Sequence, residues 1–427
     1  TGDVPIATMT VLVPGGSISD PRMKAGLANM AASIADQGTA DMSAQEIAQK
    51  LESLGASFGA TAGSEGSFFS LTAPVANMAA AGEILAAVIK GATYPEDAFE
   101  RERKRAIDGL AVSLKDPGAL AGMVARPVLY GDAPYGTLPG GTQASLASLT
   151  REDLIQHRET YWHPARTKVI VSGGIAPAQA TALANTLFGD WQVDAPAPTP
   201  VADPAGTAQP VRTVVIDMPE AGQAAVVAAV RAIPRADERY YALDLANAVL
   251  GGGSSGRLFD EVRTKRSLSY GAYSGFGDRA DDSVLVASAQ TKNDTADEVA
   301  QIFLDEFARL GTEPFAQELL DKRRLYLGGN YARSLESSSG FNSIVAGLMQ
   351  QGIEPAEAAR YAARLAEVTP EEASAAAREL VDPANATIVI VGNAAEFIDD
   401  LRAIRPDVEV ISAEGVDLSA ADFGLEE

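Results

Sequence analysis

The chain states one structural unit twice. Leu27-Ala28-Asn29 returns as Leu245-Ala246-Asn247. The stretch opening at Leu149, LTREDLIQHRETYWHPARTKVIVSGG, returns from Val368 as VTPEEASAAARELVDPANATIVIVGN. Order is kept and the offset stays between 218 and 220 residues, so any fold must be an assembly of two related halves. In each long repeat a threonine, Thr150 or Thr369, N-caps a helix with acidic residues in its first turn. A proline-containing turn and a β-branched strand follow, Val169-Ile170-Val171 in one copy and Ile388-Val389-Ile390-Val391 in the other. Between the copies, residues 194–210 (DAPAPTPVADPAGTAQP) are rich in Pro and Ala and carry no hydrophobic period, which reads as a semi-extended linker. The first domain is therefore expected at 1–193 and the second at 211–427, a division that a chain of 427 residues needs in any case.

Local signals favour α+β architecture, each half a largely antiparallel sheet flanked by helices. ATMTVLVPGG, TVVIDMP and AAVVAAVRAIP read as strands. Ser43 and Glu46 form a capping box, Ile47, Leu51 and Leu54 a helical stripe, and Gly55 a stop. GASFGATAGSEGSFFSLTAP reads as a hairpin around Gly63–Gly66, and Pro95 opens a charged helix. Hairpins in place of strict strand–helix alternation argue against a doubly wound parallel sheet.

Composition excludes several functions. A formal net charge of −23 is wrong for a nucleic-acid partner, which needs a basic surface. Without cysteine there is neither a disulfide nor a thiolate metal site, and no apolar run is long enough to span a membrane as a helix. The start at Thr1-Gly2-Asp3 fits a processed leader or a trimmed beginning. Together with the Ala-rich, cysteine-free composition it leads to an expected bacterial periplasmic location, with cytoplasm left open.

Among motifs that carry chemistry, Gly252 to Gly256 match G-x-S-x-G. A nucleophile elbow needs a strand before it and a histidine after it, whereas ALDLANAVL is helical and both histidines lie upstream. His157 and His163 are six apart, on different helix faces with Pro164 next, and read as partly exposed polar residues near a helix end. Glu100 to Arg105 read as a solvated helix face. Arg263 and Tyr270 stand apart: the helix SGRLFDEVRTKR should bury Leu258 and Val262 and end near Arg266, which places Tyr270 at the start of a strand. A phenol and a guanidinium held together can donate hydrogen bonds to a carbonyl oxygen, although spacing alone favours a packed tyrosine beside a surface arginine.

LGGGSSGRLFDEVRTKRSLSYGAYSGF closely resembles the second-domain signature of the pitrilysin/insulinase/mitochondrial-processing-peptidase family of zinc metallopeptidases, in which an Arg and a Tyr seven residues apart complete the active site. Gly15-Gly16-Ser17, Asp20-Pro21, Gly26-Leu27-Ala28, Gly38-Thr39, Leu54-Gly55-Ala56 and Pro95 extend the likeness over nearly the whole chain. The resemblance implies a processing-peptidase-like half of a clamshell. It also implies an inverted zinc motif, H-x-x-E-H, after Gly-Leu-Ala, with a distal Glu ligand. Here the first ligand position is Asn29, the base position Ala32, the second ligand position Ser33 and the distal ligand position Gly109. None of these can bind zinc well or move a proton. The resemblance therefore implies a subunit without metal or cofactor of its own, inactive alone and paired in a heterodimer with a homologous zinc-bearing subunit. Arg263 and Tyr270 would act in trans on a peptide substrate bound also by Gly252, Gly253 and Ser254. Strand Ser67–Thr72 and its counterpart near Val284–Ser288 are expected to offer an edge to that peptide. The alternative is a degenerate peptidase fold kept as a scaffold or peptide-binding module.

Overall fold

The computed structural model describes residues 5–277 and 279–424. In the first half, strands β1 (Ile6–Pro14), β2 (Ser57–Ala62), β3 (Gly66–Pro74) and β4 (Lys168–Gly173) form an antiparallel sheet in the order β2-β3-β1-β4. In the second half lie β5 (Thr213–Asp217), β6 (Ala224–Arg231), β7 (Ala272–Phe276), β8 (Val284–Thr291), β9 (Thr387–Gly392) and β10 (Val408–Ser412), in the order β10-β5-β9-β6-β8-β7. The run β7-β8-β6-β9 repeats β2-β3-β1-β4 strand for strand, so the duplication read in the sequence is a duplication of topology. The second sheet adds β5 and β10, joined through parallel pairs β5–β9 and β10–β5. The fold is α+β with two sheets rich in antiparallel pairs.

The local signals work as their chemistry predicts. Ser43 accepts from the Glu46 amide and Glu46 returns a bond to the Ser43 amide; Thr150 with Asp153, and Thr369 with Glu372, make the same reciprocal cap 219 residues apart. The charged helix Glu96–Ser113 pairs Arg101 with Asp97, Arg103 with Glu100 and Arg105 with Glu102 along its own surface. Such exposed pairs contribute a few tenths of a kcal/mol each.

Two compact units are present, and each takes one helix from the other half of the sequence. One unit comprises the chain up to Leu110, Thr137–Ala202 and Ala332–Ala358; the other comprises Ala111–Gly136, Asp203–Tyr331 and the chain from Ala359 on. In the first unit the helix Ser338–Gln350 packs on β1 and β4, burying Val345, Ala346 and Leu348 beside Ile170. Asn342 pins it there: its Nδ2 donates to Thr8 O at 3.0 Å, Thr10 Oγ1 at 3.2 Å and Ile170 O at 3.3 Å. In the second unit the helix Pro117–Tyr130 packs on β6 and β9. The main core of the first unit includes Phe69 edge-on to Trp162, with ring centroids 4.8 Å apart. That of the second gathers Val226, Phe303, Phe307, Ile388 and Ile390.

Two expectations are corrected. Both histidines are buried: His157 Nε2 lies 3.3 Å from Gly15 O against the Tyr161 ring, and His163 bonds Ala195 O at 3.0 Å while its Nδ1 accepts from the Ala165 amide. His157 is on the inner face of the helix Arg151–Tyr161 and His163 caps the turn Pro164–Arg166 with its side chain, neither of which residue spacing registers. The strand Ser67–Thr72 is not an edge, because β3 lies between β2 and β1, and Val284–Ser288 lies between β6 and β7. The edges of this type are β2 and β7, the outer arms of the two hairpins.

Candidate functional site

Arg263 and Tyr270 are brought together by an irregular piece of backbone. The helical turn Arg257–Phe259 buries Leu258 and runs into a π-helical turn, Asp260–Lys265, that buries Val262. The wider turn ends with Leu268 N donating to Val262 O at 2.9 Å and with Ser267 in a left-handed conformation, φ +56°. A non-glycine residue there costs on the order of 1 kcal/mol, and π turns of this kind concentrate at functional sites. The strand begins at Ala272, so Tyr270 stands in the turn before it and not at its first position.

That turn is clasped from below. Buried Ser269 donates from Oγ to Gly271 O at 2.9 Å and accepts from Gly271 N at 3.2 Å. Buried Thr291, at the end of β8, donates to Leu268 O at 2.7 Å. Gly271 leaves room for the half-exposed Tyr273 ring, whose edge would lie 2.6 Å from a Cβ there. Sequence reasoning did not find Ser269 or Thr291, because hydroxyls that brace a turn leave no periodic mark.

Backbone is therefore fixed on both sides of a side chain that is itself 86% exposed. The Arg263 guanidinium sits 5.3 Å from the centre of the Tyr270 ring, a cation–π distance. Its neighbours are differently occupied. Lys265 pairs with Glu261 at 2.6 Å and Asp260 at 3.0 Å, and Arg266 also bonds Glu261. These two cations hold the Glu261 carboxyl below the usual carboxylate range. Among the described residues Arg263 has no carboxylate partner and the Tyr270 hydroxyl no acceptor. Two donors are thus presented to solvent on a braced turn. A cavity of about 440 Å³ opens beside Tyr270, over β6, β8 and β7.

The glycine run is placed elsewhere. Gly252, Gly253 and Ser254 form the loop after the helix Tyr240–Gly251, and Arg323 holds that loop through Gly252 O, Ser255 Oγ and Ser255 O. None of the three lines the cavity at Tyr270.

The positions of the zinc motif do not fit the metal. On the helix Leu27–Ser33, Asn29 is exposed, Ala32 is buried and Ser33 turns its hydroxyl back to Met30 O at 3.1 Å. Gly109 sits on the exposed face of the helix Glu96–Ser113. A neutral amide, a hydroxyl engaged by its own helix, a methyl and a hydrogen replace two imidazoles and two carboxylates. Among the described residues no group of three or more His, Asp or Glu side chains is arranged to hold a metal ion. The scaffold of that helix persists. Asp20 accepts from the amides of Gly26 at 3.1 Å and Ala28 at 3.0 Å, while burial pushes its carboxyl up to about 8.

A duplicated α+β sheet unit, with an Arg/Tyr pair in the second copy and a ligand-less helix in the first, defines the class: a metallopeptidase fold without its metal set. Comparisons with known proteins agree. Residues 3–121 match the family described as Insulinase (Peptidase family M16), and residues 148–327 match Peptidase M16 inactive domain. The chain is 26% identical over 337 residues to an uncharacterized zinc protease of Mycobacterium leprae, covering 79% of this chain and 76% of that protein. It is 26% identical over 377 residues to another from Mycobacterium tuberculosis, covering 88% and 86%. Among solved structures, a peptidase M16 inactive domain from Pseudomonas fluorescens superposes with TM-score 0.83 at 25% identity, covering 91% of this chain and 93% of that one. A protease from Helicobacter pylori shares the fold with TM-score 0.83 at 20% identity, covering 91% and 94%. The chain belongs to peptidase family M16.

Proposed function

We propose that this chain is the zinc-lacking subunit of a two-chain metalloendopeptidase, supplying Arg263 and Tyr270 in trans to a homologous subunit that carries the metal. The observation that carries the reading is the pairing of two features. The metal-ligand positions hold Asn29, Ser33 and Gly109, yet the Tyr270 turn is braced by Ser269 and Thr291 and its hydroxyl is left open. The Tyr270 ring itself is 86% exposed, so the bracing serves its backbone and not a core.

The metal of the partner would supply the activated water. The task of this chain is then to bind and orient. The Tyr270 hydroxyl donates to the scissile carbonyl oxygen as negative charge develops on it, and Arg263 holds the phenol ring and donates to the peptide backbone. A fixed donor aimed at a developing oxyanion contributes about 3–4 kcal/mol. The proposed location is the periplasm, with which the cysteine-free composition is compatible without requiring it; fractionation of the native host tests it against the cytoplasm.

The test is Tyr270→Phe in the reconstituted complex. Loss of one oxyanion donor should lower kcat by ~10²-fold with KM little changed. An unaltered kcat would leave the scaffold reading in its place.

A further inference from the structure

The cavity beside Tyr270 has a chemical character of its own. The register pairs Tyr273 with Ser288 and Ser288 with Val227, and in the next row Gln290 with Ala225. All five therefore stand on one face of the sheet. The helix Pro117–Tyr130 covers β6 and β9 of the second sheet and begins at the cavity margin, with Gly118 in its first turn. Ala225 and Val227 are consequently buried as a small-residue floor, while Ser288 and Gln290 remain exposed as walls. A Cβ on Gly118 would lie 2.5 Å from the Gln290 amide nitrogen, so the glycine leaves the space that this side chain occupies. No lining residue is charged, in a chain where 21% of residues are. Arg263 lies against Tyr270 and is not part of the lining.

We propose that this cavity is a side-chain pocket for an uncharged, hydrogen-bonding residue of an extended peptide, with Gln290 setting the preference; the proposal rests on the role assigned to Tyr270 above. β7 is the free edge of its sheet, and an extended chain laid along it turns every second side chain toward this face. The Gln290 amide can both donate to and accept from a guest amide or hydroxyl. A guest carboxylate or ammonium would lose water against a lining that holds no charge of its own, with Asp116 beside Gly118 and Arg263 behind Tyr270 standing only at its margin.

The test is equilibrium binding of fluorescent hexapeptides to the full isolated chain, with Gln, Glu or Lys placed at each position in turn of an Ala/Thr background. At one position the Gln peptide should bind at least ~10-fold more tightly than the Glu and Lys peptides. Gln290→Glu should reverse the order in favour of Lys, and Gly118→Ala, which displaces the amide, should flatten it. Equal affinities at every position, a preference untouched by Gln290→Glu, or no binding at millimolar peptide would each overturn the pocket. Turnover of Tyr270→Phe in the complex is a separate readout, so failure of the pocket and failure of the Tyr270 role can be told apart.

Discussion

Asn342→Ala is the sharpest test of how the duplicated halves share helices. Asn342 is fully buried and its two N–H groups serve Thr8 O, Thr10 Oγ1 and Ile170 O, all on β1 and β4. Its removal forfeits about two net hydrogen bonds and leaves two main-chain carbonyls dry, on the order of 2–5 kcal/mol. Against that, the buried Asn342 Oδ1 has no partner among the described residues, and deleting it recovers about 1–2 kcal/mol. The net loss is about 1–3 kcal/mol, or roughly a 0.5–1 M fall in urea midpoint. Both tryptophans, Trp162 and Trp191, belong to the unit that receives the helix, so tryptophan fluorescence follows that unit selectively. The substitution lies in the second half of the sequence and the reporters in the first. The fluorescence midpoint should fall, while Phe303→Ala, in the core of the other unit, should cost about 3–5 kcal/mol in the unfolding followed by far-ultraviolet ellipticity and shift the tryptophan transition less. An unmoved tryptophan transition in Asn342→Ala would refute the exchange of helices.

Other outcomes follow from the same contacts. His157 is buried and neutral, its pKa pushed down from 6.5 to about 4 by desolvation, so the unfolded chain takes up a proton at this residue that the folded chain refuses. Its contribution to stability is therefore present above pH 6.5 and lost as pH falls toward 4, about 3 kcal/mol in all. Thermal melts from pH 7.5 to 4.5 should show a steeper loss in the native chain than in His157→Gln. Thr291→Val should cost about 1–2 kcal/mol in urea unfolding and, by loosening the turn at Leu268, lower kcat of the complex more than it raises KM. Thr291→Ser should restore kcat, which a purely structural loss of packing would not allow. Gly271→Ala pushes the half-exposed Tyr273 ring aside and should leave the unit folded, as circular dichroism would show, with any change in the complex confined to peptide binding.

How much of this was legible beforehand depended on the range over which each signal acts. The capping box at Ser43, the N-caps at Thr150 and Thr369 and the β-branched strands are local signals, and the structure carries all of them. The Arg263–Tyr270 pair was legible through the family resemblance of its segment and not through spacing alone, and the π turn that brings the two together was not legible at all. The exchange of Ser338–Gln350 and Pro117–Tyr130 was invisible, since an amphipathic stripe states that a helix face is covered and not which sheet covers it. Edge and central strands were confused for a related reason: β3 and β8 alternate as edge strands would, and only long-range pairing places them inside. Gln290 and Gly118 drew no notice because a pocket is made by neighbours 172 residues apart.

The central claim is that this chain carries one half of an active site. It is tested most directly by purifying the chain alone and together with a homologous zinc-bearing sister, and measuring bound zinc and peptide cleavage in both. The isolated chain should bind no zinc and cleave nothing, and the complex should hold one zinc per pair with activity that depends on Tyr270. Stoichiometric zinc on the isolated chain, or cleavage by it, would show that the chain carries a complete site of its own.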